Sequence, residues 1–347
     1  PRRGARHLRD HQARALISRF FECASHLWDY AHQLIRDQGN SMNKISIIGA
    51  GRVGETAAQT LAHQEMSREI SLIDVREGAA AGAALDIMQT ASHFGFGSRV
   101  IGGTDPALLQ DAELVVITAG SARKPGMSRS DVLDVNVAVI NSVCDNILEY
   151  APNALLLMVT NPVDVLTWHT WKRTGWERNR VFGLSGVLDA SRMAYFIAEE
   201  TGLPVRDIHT MVIGSHGDHM VPLTRFSTVN GVPATTFMDE AMIERVNERT
   251  RHGGAEILAL RQVSSAYNAP AAAIVTMVDA ISHDRRRVLP CVCNLDGEYG
   301  YWDMTAGVPA IIGRNGIEQI VELPLDESEQ AGFDASIDSI RTDLGNL

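Results

Sequence analysis

A short β-branched run, Lys44–Ile48, gives way to Gly49-Ala50-Gly51-Arg52-Val53-Gly54, then to a helical stretch from Arg52 to about Gln64 and a second strand, Glu69–Asp74. This strand, glycine turn, helix and strand unit constrains the fold more than anything else in the chain. Gly-x-Gly-x-x-Gly alone is a weak signal, but here it closes a strand, opens a helix and has an acid twenty residues beyond its last glycine. Gly49 permits a tight turn, Gly51 lets the backbone approach a pyrophosphate, and Gly54 lets helix and strand pack closely. The helix N-terminus offers unpaired N–H groups and partial positive charge to phosphates. Asp74 can accept hydrogen bonds from both adenosine ribose hydroxyls and repels the extra phosphate of NADP, which favours NAD. Gly49, Ala50, Gly51, Arg52, Val53, Gly54 and Asp74 are therefore candidate cofactor contacts.

The alternation continues. A helix is expected near Ala79–Thr90, strands at Arg99–Ile101 and Leu114–Thr118, a long helix over Ser128–Tyr150 and a strand at Ala154–Val159. Repeated β-α-β units predict a parallel sheet with helices on both faces, a Rossmann-type doubly wound domain. Beyond about residue 185 the texture changes. Helices are expected at Asp189–Thr201, Met238–Ser265 (despite Gly253-Gly254), Ala271–His283 and Asp326–Leu344, with strands at Ile208–Ile213 and Leu223–Thr228. Val288–Cys293, Asp303–Ile312 and Gly316–Glu322 suggest an antiparallel set. The expected organisation is a dinucleotide-binding domain over 42–185 and an α+β catalytic, substrate-binding domain over 186–347, intimately packed.

Residues 1–41 read differently, with seven Arg against four acids in a chain whose net charge is −11. Met42 as the natural start, an Arg-rich targeting peptide and a docking helix are the three readings. Leu16, Phe20, Leu27, Ala31 and Leu34 recur at helical spacing and predict a helix. The acidic balance argues against a nucleic-acid partner, and no apolar run is long enough to span a membrane. Cys23, Cys144, Cys291 and Cys293 form no Cys-x-x-Cys pair and lie at no zinc spacing with His, so they read as free thiols of a reducing, cytoplasmic compartment.

Four further segments concentrate polar chemistry: Ala119–Arg129, Thr160–Asp164, Gly186–Arg192 and Ile213–Asp218. The first two follow predicted strands, at the sheet edge where open α/β folds bind ligands. Reducing a 2-keto acid by hydride transfer needs a guanidinium to grip a carboxylate, an imidazole to carry a proton, a carboxylate to orient that imidazole, and a cation to polarise the carbonyl. Arg192, His216, Asp189 and Arg129 can fill these roles, although spacing alone does not assign them.

Through all these motifs, Met42–Leu347 resembles the lactate/malate dehydrogenase family, and within it the lactate-dehydrogenase-like branch that acts on malate. The resemblance implies that His216 is the proton donor and acceptor and Asp189 its carboxylate partner. It implies that Arg192 binds the C1 carboxylate, Arg129 polarises the carbonyl from a mobile loop, and Asn161 hydrogen-bonds the substrate oxygen. Asn136 and the Val159, Thr160 and Asn161 backbone are implied nicotinamide-side contacts with NAD. Arg123 is implied to select the substrate. Lactate members typically carry Gln before Lys-Pro-Gly, and malate members Arg. The guanidinium pairs the second carboxylate of oxaloacetate, whereas pyruvate would leave it unpaired. Losing one partner of such a pair costs about 3–5 kcal/mol, roughly two to four orders of magnitude in rate. The expected activity is reversible, NAD-dependent oxidation of malate to oxaloacetate, as in the tricarboxylic acid cycle. Arginine and imidazolium supply the positive charge, so no metal is expected. A homotetramer is favoured, with a dimer as the alternative. Three local departures bear on the shape of the site: Ser215 before His216, Gly120-Ser121-Ala122-Arg123 in the loop, and Asn268 after Tyr267. A lactate or other 2-hydroxy-acid dehydrogenase, and a non-catalytic NAD-binding protein, are the rival readings.

Overall fold

A computed structural model describes residues 42–121 and 129–347 of the chain, with side chains of 129–131 outside the description. The helix expected within 1–41, and Arg123, lie outside the described residues.

The described residues belong to one compact unit, Ser41–Leu347. At its centre six parallel strands lie in the order β6-β5-β4-β1-β2-β3, formed by β1 (Met42–Ile48), β2 (Ser67–Ile73), β3 (Arg99–Gly103), β4 (Leu114–Ile117), β5 (Leu155–Met158) and β6 (Val181–Gly183). Helices cover both faces, so the central strands lack polar alternation. All four residues of β4 and of β5 are buried. Helix α1 (Arg52–His63) turns one face to the sheet because Gly54, Ala57, Ala58, Leu61 and Ala62 recur at helical spacing and are buried. Helix α2 (Ala79–Gln89) presents Ala80, Ala83, Ala84 and Ile87 in the same way. Helices α3 (Arg129–Tyr150) and α4 (Val163–Thr174) follow β4 and β5.

The second half adds α5 (Gly186–Thr201), α6 (Glu240–Arg261), α7 (Asn268–Ser282) and α8 (Glu327–Leu344), the last begun by a capping box between Asp326 and Glu329. Its antiparallel strands, β7 (Arg287–Asp296), β8 (Trp302–Gly313) and β9 (Gly316–Ile320), do not form a sheet of their own. They extend the parallel sheet to nine strands, joined at the single registered pair Val292–Gly183. The expected Rossmann-type sheet with an α+β second half is thus present as one continuous mixed sheet.

Two expectations need correction. Leu223–Thr228 is not a strand. It contains a 3-10 turn at Thr224–Phe226, where Ser227 Oγ donates back to Leu223 O at 3.1 Å, and extended pairing begins only at Thr228–Val229. Ile208–Ile213 is two separate two-residue strands, Ile208–His209 and Val212–Ile213, which join different small sheets.

Candidate active site

The strand order reverses between β1 and β4, which opens a crevice at the carboxyl ends of the parallel strands. Gly49 leaves β1 at φ +110°, in the region that favours glycine, and its N–H donates to Ile73 O at 2.7 Å. A methyl group on Gly54 would lie 1.9 Å from Gly49 O, so α1 and the turn touch backbone to backbone. A methyl group on Gly51 would meet nothing within 4 Å. Gly51 also caps α1 without a side-chain hydrogen bond. The open room and exposed N–H groups fit a pyrophosphate at the end of α1. Arg52 and Val53 form the start of that helix. At the end of β2, Asp74 Oδ2 accepts the Ala50 N–H at 2.8 Å, and Oδ1 accepts the Arg76 N–H at 2.9 Å and Nε at 3.1 Å. Burial pulls the Asp74 pKa up, but the hydrogen bonds from Arg76 and Ala50 outweigh it and hold the carboxyl below its usual value. Asp74 is therefore an anion, as ribose recognition requires. Sequence reasoning did not single out the Arg76 guanidinium that braces it.

The next two strand ends are tied together by Asn136, which is 1% exposed on α3. Its Oδ1 accepts the Ser121 N–H at 2.7 Å, and its Nδ2 donates to Asn161 O at 2.7 Å. Thr160 Oγ1 donates to Ala119 O at 2.7 Å, and the Val159 N–H to Ile117 O at 2.9 Å. Asn136, Val159 and Thr160 thus shape the loops after β4 and β5. The Asn161 side chain is exposed, with its Oδ1 3.3 Å from the Val163 N–H.

His216, Asp189 and Arg192 come together. His216 Nδ1 lies 2.8 Å from Asp189 Oδ2, and Arg192 Nη1 donates to Asp189 Oδ1 at 3.0 Å. The Asp189 side chain is 1% exposed, whereas His216 and Arg192 retain 17% and 12%. Desolvation alone would discharge the imidazole, but the charge and hydrogen bond of Asp189 outweigh it and raise the His216 pKa. With Nδ1 engaged by the carboxylate, Nε2 is the nitrogen left for a proton exchanged with a ligand. The helix start that carries Asp189 places Arg192 three residues on, which brings both to one face. Gly253 and Gly254 of α6 stand over this arginine. A Cβ on Gly253 would lie 3.3 Å from Arg192 Cδ, a tight approach, whereas one on Gly254 would make only ordinary contact with the guanidinium.

Two expected site residues are not placed in this cluster. Arg123 lies outside the described residues, and Arg129 begins α3 without a described side chain. One residue was missed. Asp164, buried in the first turn of α4, accepts the His216 backbone N–H on Oδ2 at 2.9 Å. In the sequence it closes the Thr160–Asp164 segment and receives no role of its own. Among the described residues no three His, Cys, Asp or Glu side chains gather as a metal site, and Cys144, Cys291 and Cys293 are buried free thiols.

A doubly wound sheet with a glycine turn at its switch point, and a His–Asp–Arg cluster at the same edge, defines a dinucleotide-dependent oxidoreductase. The narrower assignment comes from comparison. Residues 43–183 match the lactate/malate dehydrogenase NAD-binding domain, and residues 186–346 match the alpha/beta C-terminal domain of the same family. The chain belongs to the lactate/malate dehydrogenase family, and NAD is its cofactor. It is 63% identical over 306 residues to a malate dehydrogenase of Thioalkalivibrio sulfidiphilus, covering 88% of this chain and all of that one. It is 48% identical to a malate dehydrogenase of Methanosarcina mazei, covering 88% and 99%. Among solved structures it resembles a malate dehydrogenase of Cryptosporidium parvum, with a TM-score of 0.86 at 36% identity, covering 88% and 99%. A lactate dehydrogenase of the same organism, solved with lactic acid and cofactor, gives 0.84 at 37% identity, covering 88% and 98%.

Proposed function

We propose that this chain is an NAD-dependent malate dehydrogenase, interconverting malate and oxaloacetate as in the tricarboxylic acid cycle. The observation that carries the reading is the His216–Asp189–Arg192 cluster, in a chain 63% identical along its matched length to a protein of that name. When bound, NAD supplies the hydride acceptor at its nicotinamide. Residues 42–185 hold it, with Gly49–Gly54 on the pyrophosphate side, Asp74 at the adenosine ribose, and Asn136, Val159, Thr160 and Asn161 bounding the nicotinamide side. Residues 186–347 bring the acid-base pair and Arg192, and the first half adds Arg123, Arg129 and Asn161.

During malate oxidation Nε2 of neutral His216 takes the hydroxyl proton, and Asp189 stabilises the imidazolium that forms. The same proton returns during oxaloacetate reduction. Arg192 binds the C1 carboxylate, Asn161 bonds the substrate oxygen, and Arg129 polarises the carbonyl. Arg123 pairs the second carboxylate and sets the choice of acid. We assign the chain to the cytoplasm and to a homotetramer, with a dimer as the alternative. No described helix is long and apolar enough to cross a membrane.

The test is NADH consumption with a panel of keto acids, on the native chain and on Arg123→Gln. Oxaloacetate is expected to be the best substrate, and the substitution to lower its turnover by about two to four orders of magnitude while helping pyruvate relatively. Preference of the native chain for pyruvate overturns the malate assignment. No NADH consumption with any keto acid overturns the enzyme assignment.

A further inference from the structure

Asp164 is 5% exposed, and its immediate surroundings are unusual for a carboxylate. Oδ2 receives one hydrogen bond, from the His216 backbone N–H at 2.9 Å. Oδ1 is enclosed and meets no donor among the described residues. The backbone beneath is fixed, since Thr305 Oγ1 donates to Asp164 O at 2.8 Å. One N–H is small compensation for a buried anion, which ordinarily needs a paired charge or several donors. The charge that can compensate it is the one that comes and goes on His216.

We propose that Asp164 is a positioning residue of the proton relay, anchoring the His216 peptide and lending the imidazolium a second carboxylate. The proposal rests on the reading of His216 as the proton carrier. The anchor completes a series: Gly214 pairs with Gly307 in both directions, the Ser215 N–H donates to Ser336 Oγ, and Asp164 takes the next N–H, that of His216, before the chain turns at Gly217 with φ +154°. The described charged groups facing His216 are Asp189 and Arg192 on α5 and Asp164 on α4. Asp189 and Asp164 favour the protonated ring, and Arg192 opposes it. For Asp164, burial is the largest influence and lifts its carboxyl to about 6. The hydrogen bond and charge of His216 pull it down, and Asp189 pushes it up. Near neutral pH Asp164 is thus an anion supporting imidazolium. Below about 6 it takes up a proton and that support fades.

The experiment is the pH profile of kcat/KM for oxaloacetate reduction in native enzyme, Asp164→Asn and Asp164→Ala, with His216→Asn as a control. Asparagine keeps an oxygen for the His216 N–H but carries no charge. Its alkaline limb is expected to move to lower pH by about half a unit or more. Alanine loses anchor and charge together, and its kcat is expected to fall about ten-fold or more below that of the asparagine variant. An unmoved limb in Asp164→Asn overturns the charge coupling, and equal kcat losses in the two variants overturn the anchoring role. His216→Asn retaining native turnover would instead sink the underlying proton-carrier reading. Should the variants fail to fold, the native chain still decides. The His216 ring, followed by NMR, is expected to titrate in two steps with one inflection near the Asp164 midpoint, and a single-step curve overturns the coupling.

Discussion

Asp189→Asn is the sharpest perturbation of the site, because the structure fixes what each carboxylate oxygen does. Oδ2 faces His216 Nδ1 at 2.8 Å and Oδ1 faces the Arg192 guanidinium at 3.0 Å. Asparagine offers one acceptor and one donor group in the same place. If its oxygen faces Arg192, its amide N–H groups face Nδ1. The imidazole must then carry its proton on Nε2, the wrong tautomer for taking a proton from malate. If its oxygen faces His216, two donors oppose each other at the arginine. Either way the imidazolium loses an adjacent negative charge. Two unit charges 4 Å apart at an effective dielectric of 20 attract by about 4 kcal/mol. The amide dipole recovers part of this, which leaves roughly 3 kcal/mol and about two orders of magnitude in kcat. The assay is steady-state NADH oxidation with oxaloacetate, alongside NADH affinity, which is expected to hold because Asp189 lies outside the dinucleotide turn. Asp189 raises the His216 pKa, so the pH range in which the variant still reduces oxaloacetate should also contract from the alkaline side. A kcat within about three-fold of native, at unchanged NADH affinity, refutes this account.

Three further outcomes follow from the structure. Gly51→Ala adds a methyl group where nothing lies within 4 Å, so its melting temperature should match native while NADH affinity, read by fluorescence titration, falls about ten-fold or more as the methyl group enters the pyrophosphate room. Gly54→Ala instead drives Cβ to 1.9 Å from a backbone oxygen that no side-chain rotation can move, so calorimetry should show a loss of about 1–3 kcal/mol. Stability should also depend on pH at Asp164. Its pKa in the folded chain lies above the unfolded value, so its contribution is greatest below the unfolded pKa and is lost as pH rises through about 6. Asp164→Asn escapes that loss and should gain on native in thermal melts between acid and neutral pH, by up to about 3 kcal/mol, less the weaker hydrogen bond. A pH-independent difference between the two would refute it.

Much of this was legible in the sequence because the informative motifs are local. Gly49–Gly54 and Asp74 each report the end of a strand, and glycine has a steric reason to stand where Cβ would strike backbone. The Asp189–Arg192 spacing likewise announces one helix face. What escaped depends on tertiary context. Helix α4 was not anticipated, because Asn161-Pro162 reads as a turn and the buried Val163, Val165, Leu166 and Thr167 give no clean amphipathic stripe. Strand β6, three buried residues long, is too short to show a period. Leu223–Thr228 has strand-like composition, yet the Ser227 hydroxyl satisfies a backbone carbonyl locally and favours a turn. Asp164 and Arg76 carry no signal of their own, since each matters only through the residue it touches.

The seam at Val292–Gly183 has a consequence for how the two halves divide their labour. Only one registered pair joins the antiparallel strands to the parallel ones there. His216 lies far along the chain, among the residues of the second half, yet its peptide is tethered to the start of α4 in the first. The proton carrier is thus held from both halves at once, its ring by Asp189 and its peptide by Asp164, so side-chain ties rather than strand pairing keep the relay aligned across the seam.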